Sequence, residues 1–361
     1  MTRCPRARTT PRWARCSRPT SASSAAATPG CGPLHAKELE PTREVVLLEA
    51  TRCGDGASRR NGGFLQSSLT HGTRNGLARF PDELERLERL GFENFECLIR
   101  DLRALDIDAE LEQNGDLVVA LEPRELADLD DEAELLSRYG YQVERLDGEH
   151  VRAQITSKKF IGAIWTRTGS ALVNPGRLAD GLRVGAARGA LLATSAYPPL
   201  VRAIHRPRVR LRAGHRAAGS EPDRVAEPAG PQRHGQPVPL LAPDRGRTDP
   251  VGGAIDTCSR FSAFFGRTHG GRVAYALGYT GLGVGASRFA GRVALDLLDG
   301  RSSEASTLSM VRRRPLPFPP EPLRTAVIQL TRNRLNAADR HEGRRGLWLT
   351  ALDRLGLGFD S

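Results

Sequence analysis

Two stretches of this chain carry residues whose types and spacing suit them to grip a large anionic ligand. In AYALGYTGLGVGASRFAGRVALDLLDG (274–300), Gly278, Gly281, Gly283 and Gly285 put four glycines within eight residues, with Tyr279 and Thr280 among them. Missing Cβ atoms let a ligand approach the backbone, and a helix starting there would turn free amides and its positive dipole end toward negative charge. In EVVLLEATRCGDGASRRNGG (44–63), an apolar run ends in Glu49, and a small-residue loop follows with Ser58, Asn61, Gly62 and Gly63. An acid at such a strand tip is the usual acceptor for a ribose hydroxyl in dinucleotide folds. Each signal has a plainer reading, a solvated strand end or a tight turn between packed elements. The glycine spacing is also not GxGxxG.

The elements that must position these residues are legible around them. The EVVLLEA run (44–50) reads as a strand buried in a parallel sheet, and Ala274–Leu277 as a shorter apolar strand. Beyond the second glycine loop, Val284, Phe289, Val293, Leu297 and Leu298 recur at helical spacing up to Gly300, where a helix would stop. A long amphipathic helix is predicted from Pro81 to about Leu105, with Leu84, Leu87, Phe95, Leu98, Ile99 and Leu102 buried. Asn114-Gly115 predicts a hairpin within 110–121, a helix is expected over 123–138, and 162–173 looks like a second hairpin. Asn174-Pro175 should cap a helix.

Composition bounds the function. The formal net charge is +11, of which residues 1–37 carry +7 (seven Lys/Arg, no acid) and 206–250 carry +4 (nine Arg, five acids), so the remainder is neutral. The excess charge therefore sits in Arg/Pro-rich segments without hydrophobic periodicity, not on a basic face, and nucleic acid is not an expected partner. No apolar run is long enough to span a bilayer, and no membrane association is expected. Six cysteines without CxxC or His/Cys spacing argue against a zinc or disulfide scaffold and for a reducing, cytoplasmic setting.

Several phrases together resemble one family. VVLLEATRCGDGASRRNGGF, TGSALVNPGRLADGL, LLATSAYPPLVR, AIDTCSRFSAFFGRTHGGRVAYALGYTGLGVGASRFAGRV and the PFPPEPLR tail are similar to FAD-dependent oxidoreductases of the D-amino-acid oxidase class. The closest members are γ-glutamylputrescine oxidase-like and glycine oxidase-like. The resemblance implies an α/β fold (α+β overall): a Rossmann-like FAD-binding domain, incomplete at its N-terminus, with an interrupting antiparallel-sheet substrate domain. It implies FAD as cofactor, a small-molecule amine or amino acid as substrate, and hydride transfer to the flavin. By the same resemblance Glu49 holds the adenosine ribose, Ser58, Asn61, Gly62 and Gly63 lie along the cofactor, and Gly278, Tyr279, Thr280, Gly281 and Gly283 approach the flavin. No catalytic residue and no metal ligand is named.

His71, His150, His205 and His269 lack partners at metal or triad spacing and read as surface or locally satisfied residues. Arg260 and Asp256 are candidate substrate contacts, and Trp165 reads as core. The expected divisions are an FAD-binding domain in three pieces (36–105, 176–205, 253–310), part of a substrate domain (106–175), and a C-terminal arm and helix (311–361). Residues 1–35 and 206–252 are expected to be disordered.

The family opens with a strand and GxGxxG, where this chain has TSASSAAATPGCGPLHA (20–36). Joining each residue's wobble base to the first two bases of the next turns residues 19–36 into DVCIVGGGYTGLWTA and two loosely constrained residues, a strand followed by that loop. The same operation on 209–218, 232–241 and 245–253 gives VYDYALVTEP, DTANQFHYY and ADERILWGG. The expectation is that 1–35 and about 206–252 are translated out of frame, with further losses near 181–197 and before Ala254. This chain would then hold FAD weakly or not at all, for want of the first strand of its sheet.

Overall fold

A computed structural model describes residues 21–24, 31–43, 45–49, 54, 56–155, 159–187, 191–194, 258–340 and 346–354. The expectations for 206–252, His205 and Asp256 lie outside the described residues.

The run at 45–49 has the β-branched and leucine side chains that favour an extended chain, and it forms β2 (Val45–Glu49). It is the middle strand of a parallel sheet, with β1 (Ser21–Ser24) on one side and β8 (Leu191–Thr194) on the other. Ser21 pairs with Val45, and Val46 with Leu191. Residues 1–35 were expected to contain no order, and β2 to lack a neighbour on that side. Both expectations need correcting. Ser21–Ser24 pair in parallel register, and α1 (Cys31–Leu39) begins within the same segment. The physical reason is that a ladder is made by main-chain groups, which Ser and Ala carry as well as Val does. What SASS cannot supply is the β-branched bulk that normally fills both faces of a parallel sheet.

The glycine loop at 278–282 feeds α7 (Gly283–Asp299), closed by Gly300 with φ 69°, the left-handed cap expected of a terminal glycine. This helix packs on α1, on α3 (Leu84–Ala104), and on β9 (Phe264–Thr268) and β10 (Val273–Leu277), which pair antiparallel. The six apolar residues expected to line one face of α3 are all buried. Its neighbours divide between two clusters, one holding Leu87, Phe265, Leu282, Phe289 and Val293, the other Leu65, Phe95, Leu98, Ile99 and Val284.

The direction of α7 matters for function. The Arg43 guanidinium, just before β2, grips both oxygens of Asp299 at 3.1 and 3.0 Å. Ala36, Val45 and Leu295 form a small core beside that pair. The last turn of α7 therefore lies at the start of β2, at the opposite end of that strand from the carboxyl edge, where open α/β sheets bind ligands.

The middle of the chain makes a second, antiparallel sheet in the order β4–β6–β5: β4 (Asp116–Ala120), β6 (Gly162–Thr166) and β5 (Val143–Asp147). One face is covered by α4 (Pro123–Arg138), whose Leu129 and Ala133 pack on Ala120 and Ile164. Neither expected hairpin forms. Asn114-Gly115 does turn the chain, but β4 pairs with β6 while Glu112 bridges Leu172. Likewise β6 and β7 (Ser170–Leu172) do not pair with each other; β7 joins β3 (Phe64–Gln66). The chain changes sheets at Gly169 (φ 79°), so these turns mark reversals without naming the partner strand. Trp165 belongs to no core cluster. It is half-buried, its indole donates to the Asn114 carbonyl at 2.8 Å, and the Arg167 guanidinium lies over its ring.

A buried carboxyl joins the two sheet systems. Glu88 of α3 is 3% exposed and accepts from the Tyr141 hydroxyl at 2.8 Å, and Tyr141 also meets Ser67 Oγ at 3.1 Å. Burial raises the Glu88 pKa, against the opposing effect of the Tyr141 hydrogen bond. A carboxyl held above its unfolded value keeps its proton in the folded state. Its stabilising effect is complete below the unfolded pKa and is lost as pH rises through the folded one. Chemical denaturation of Glu88→Gln should accordingly show a smaller fall in stability between acid and alkaline pH than the parent, and higher stability at pH ~8. An identical pH slope in both would contradict this.

Candidate cofactor site

The loop entering α7 is built from backbone most side chains avoid. Gly278 has φ 70°, Thr280 φ 51° and Gly281 φ 91°. A threonine there is strained; its hydroxyl donates to the Gly278 carbonyl at 3.1 Å, and it is 8% exposed. The glycines serve different ends. A Cβ on Gly278 would come 3.1 Å from the Phe264 ring, and one on Gly285 2.5 Å from the Gln66 carbonyl oxygen. Those two are required by packing. Gly281 is exposed, and nothing lies within 4 Å of where its Cβ would be. The space above it is open for a ligand, at the start of a helix whose first-turn amides have no acceptor within the helix. Asn94, buried on α3, donates to the Gly285 carbonyl at 3.0 Å and fixes that first turn.

The 56–63 loop is closed on itself. Asn61 Nδ2 donates to the carbonyls of Ala57 and Ser58 at 2.9 and 3.0 Å, and its Oδ1 accepts from the Gly63 amide at 2.9 Å. Arg59 adds a two-point ion pair with Asp180 of α6 (Pro175–Ala187), at 2.6 and 2.9 Å. Asn174 caps α6 as expected, accepting from Gly176 and Arg177. Gly62 and Gly63 are buried and Ser58 is half-buried. Asn61 thus acts chiefly on loop shape. Asn61→Ala should cost about 1–2 kcal/mol in thermal or urea unfolding, and parent-like stability would show that the loop does not depend on this amide.

Gly278, Tyr279, Thr280, Gly281 and Gly283 lie together at the start of α7, and Glu49 is the last residue of β2. Ser58, Asn61, Gly62 and Gly63 sit in a separate loop tied to α6 and β7. Arg260, expected to meet substrate, is buried and donates to the carbonyls of Ala263, Met310 and Arg313. Of the histidines, His150 is exposed and paired with Asp147, and His269 is exposed. His71 is neither on the surface nor satisfied, since its Nδ1 is buried without a hydrogen-bond partner. Among the described residues no cluster of His, Cys, Asp and Glu could hold a metal, and no helix is long and apolar enough to cross a membrane.

A flavin nucleotide fits part of this arrangement. The open backbone at Gly281 and the start of α7 offer room for an anionic group to approach. The connection from β1 to α1 fits less well. Its sequence, AAATPGC (25–30 plus the first helical residue), holds one glycine and a proline where a pyrophosphate would need free amides.

Known proteins offer a comparison. Residues 34–196 match the family model described as DAO, FAD dependent oxidoreductase. The chain is also 34% identical over 140 residues to the gamma-glutamylputrescine oxidoreductase of Escherichia coli (strain K12), covering 38% of this chain and 32% of that protein. The chain thus spans about a third of the length of the curated relative it matches. Among solved structures it is similar to glycine oxidase from Geobacillus kaustophilus, at 22% identity and TM-score 0.40 over 49% of this chain and 46% of that one. It is also similar to iminodiacetate oxidase from Chelativorans sp. BNC1, at 23% identity and TM-score 0.38 over 48% and 46%.

Proposed function

We propose that this chain descends from an FAD-dependent oxidase of small-molecule amines or amino acids, and that as written it holds its flavin weakly. The observation that carries the first half is the anchoring of the last turn of α7 at the start of β2, which would leave its glycine loop toward the far end of that strand. Glu49 would accept from the adenosine ribose, and the open backbone at Gly281 and Gly283 would let the cofactor approach, with Tyr279 and Thr280 lining it. Asn61 and the Arg59–Asp180 pair would hold the 56–63 loop in shape beside it. The chemistry a bound flavin supplies is acceptance of a hydride from the carbon bearing the amine. The chain's own part is to bind, orient and exclude water.

The second half rests on β1. This strand reads SASS, without the β-branched residues a parallel strand normally carries, whereas the shifted frame gives CIVG at the same four positions and begins its GxGxxG at the fourth of them. The family match begins at residue 34, next to the end of the first segment read as out of frame, and stops at 196, before the second. Replacing residues 19–33 by DVCIVGGGYTGLWTA should tighten FAD binding, read by flavin fluorescence quenching, by at least about tenfold, the scale of one good helix-terminus anion contact plus restored apolar burial. No gain, or a parent chain that purifies yellow with stoichiometric flavin, would contradict the proposal.

A further inference from the structure

Tyr141, between α4 and β5, bolts the antiparallel sheet to the layer made by α3 and β3. Its hydroxyl donates to Glu88 Oε2 at 2.8 Å and meets Ser67 Oγ, just past β3, at 3.1 Å. Its ring packs on Phe92 of α3, with 4.6 Å between centroids. The Ser67 amide donates across the same seam to the Gly169 carbonyl at 2.8 Å. The seam is tight there. A Cβ on Gly169 would lie 2.6 Å from Ser67 Oγ, 2.9 Å from the Tyr141 ring and 3.1 Å from the Phe92 ring. Two buried oxygens, Glu88 Oε1 and Oγ1 of Thr73 at the start of α2 (Thr73–Arg79), have no hydrogen-bond partner. Thr73 is nevertheless close enough to bear on the ionisation of both Glu88 and Tyr141.

Such a seam holds charge badly. Burial and the neighbouring Glu88 push the Tyr141 pKa up, so the phenol keeps its proton and is the donor of the pair. Burial likewise raises the Glu88 pKa, against hydrogen bonds from Tyr141 and Thr73. A proton on Oε1 gives Glu88 a donor for Thr73 Oγ1, and both orphaned atoms are then used. Among the described residues no cation bears on Glu88. On α3, Arg86 and Arg89 reach out to Glu304. On α2, Arg74 pairs with Glu132 of α4, and Arg79 donates to Asn75. Beside Gly169, Arg167 pairs with Glu144. His71, in the loop between β3 and α2, is held neutral at pH 7 by burial. An ionised Glu88, 3% exposed, would therefore have neither water nor a counter-charge in the closed seam.

We propose that Glu88 and Tyr141 form a pH-operated latch: the seam stays closed while Glu88 carries its proton, and parts locally when that proton passes to solvent and water reaches the carboxylate. The opening has a fixed place, the Ser67–Gly169 contact, and needs no flavin. It frees the end of β3, whose Gln66 carbonyl packs against Gly285 in the first turn of α7, so the closed latch also supports the candidate cofactor loop. Infrared spectra and amide exchange of the chain as isolated, from pH ~6 upward, test it. A carboxylic-acid C=O band should be present at the acid end, missing from Glu88→Gln, and should fade as pH rises. Over the same interval the Ser67 amide, corrected for intrinsic base catalysis, should lose protection by about tenfold per pH unit above the midpoint. Glu88→Gln, isosteric and never charged, should keep Ser67 protected throughout. Tyr141→Phe removes a hydrogen bond that favours the carboxylate, so its band should fade at a higher pH than the parent's. No band assignable to Glu88, the same loss of protection in Glu88→Gln, or a loss at Val293 of α7 equal to that at Ser67 would overturn the proposal. Should Glu88→Gln misfold, Tyr141→Phe still decides, and an unmoved midpoint there counts against the latch.

Discussion

Gly63→Ala is expected to unfold the region around β3 and β7, with a loss of about 4 kcal/mol or more. A Cβ at position 63 would lie 1.9 Å from the Val173 carbonyl oxygen and 3.1 Å from its carbon, and φ is 74°. Neither backbone can retreat easily. Val173 donates to the Gly63 carbonyl at 2.9 Å, and the Gly63 amide is held by Asn61. Two penalties therefore add, a steric clash with main chain and left-handed strain on a residue with a side chain. Gly56 is a control in the same loop, because nothing lies within 4 Å of its Cβ position. Gly56→Ala should stay within about 0.5 kcal/mol of the parent. Urea denaturation of the pair measures the difference, and equal midpoints would mean that the loop does not sit against β7.

Arg260→Met should be nearly as damaging, by about 3 kcal/mol, and through another route. The guanidinium gathers the carbonyls of Ala263 at 2.8 Å, Met310 at 2.5 Å and Arg313 at 2.8 Å, while Ser259 Oγ donates to the Leu316 carbonyl at 2.8 Å. Together they strap the segment that follows α8 (Glu304–Thr307) and α9 (Ser309–Arg312) onto the start of β9. Methionine fills the volume but leaves carbonyl oxygens buried without donors. Arg260→Lys should recover only part of the loss, since one ammonium cannot reproduce the planar fork. Hydrogen exchange would show the loss concentrated at 310–316; uniform loss across the chain would count against a local strap.

The sequence was most readable where one segment dictates its own geometry. The 45–49 run, the α3 stripe, the Pro123 start of α4, the Asn174 cap and the Gly300 stop all depend on neighbours within a turn or two, so spacing reveals them. Pairing is not local. Asn114-Gly115 turns the chain whichever strand β4 joins, and the choice of β6 depends on packing with α4 far along the sequence. The same limit hid the surroundings of Arg260 and His71, which are set by loops about 190 residues apart in the chain that meet at Phe261. Strand β1 was unreadable for a different reason. Its side chains carry no strand signal, and only the open main-chain edge of β2 recruits it. The glycine loop before α7 was legible as a cradle, but which glycines serve packing and which leave space needed the neighbours of each.

The central claim is that the end of β2 and the start of α7 once held one flavin nucleotide between them. The most direct test is the FAD dissociation constant of the chain repaired at residues 19–33, alone and with Glu49→Gln or Gly281→Val. Loss of a ribose hydrogen bond to a charged acceptor costs about 1.5–3 kcal/mol, so Glu49→Gln should weaken binding by roughly tenfold or more. Gly281→Val, which fills open space and strains a backbone at φ 91°, should weaken it at least as much. A repaired chain that binds FAD equally well with either substitution would show that the two elements do not serve the same ligand.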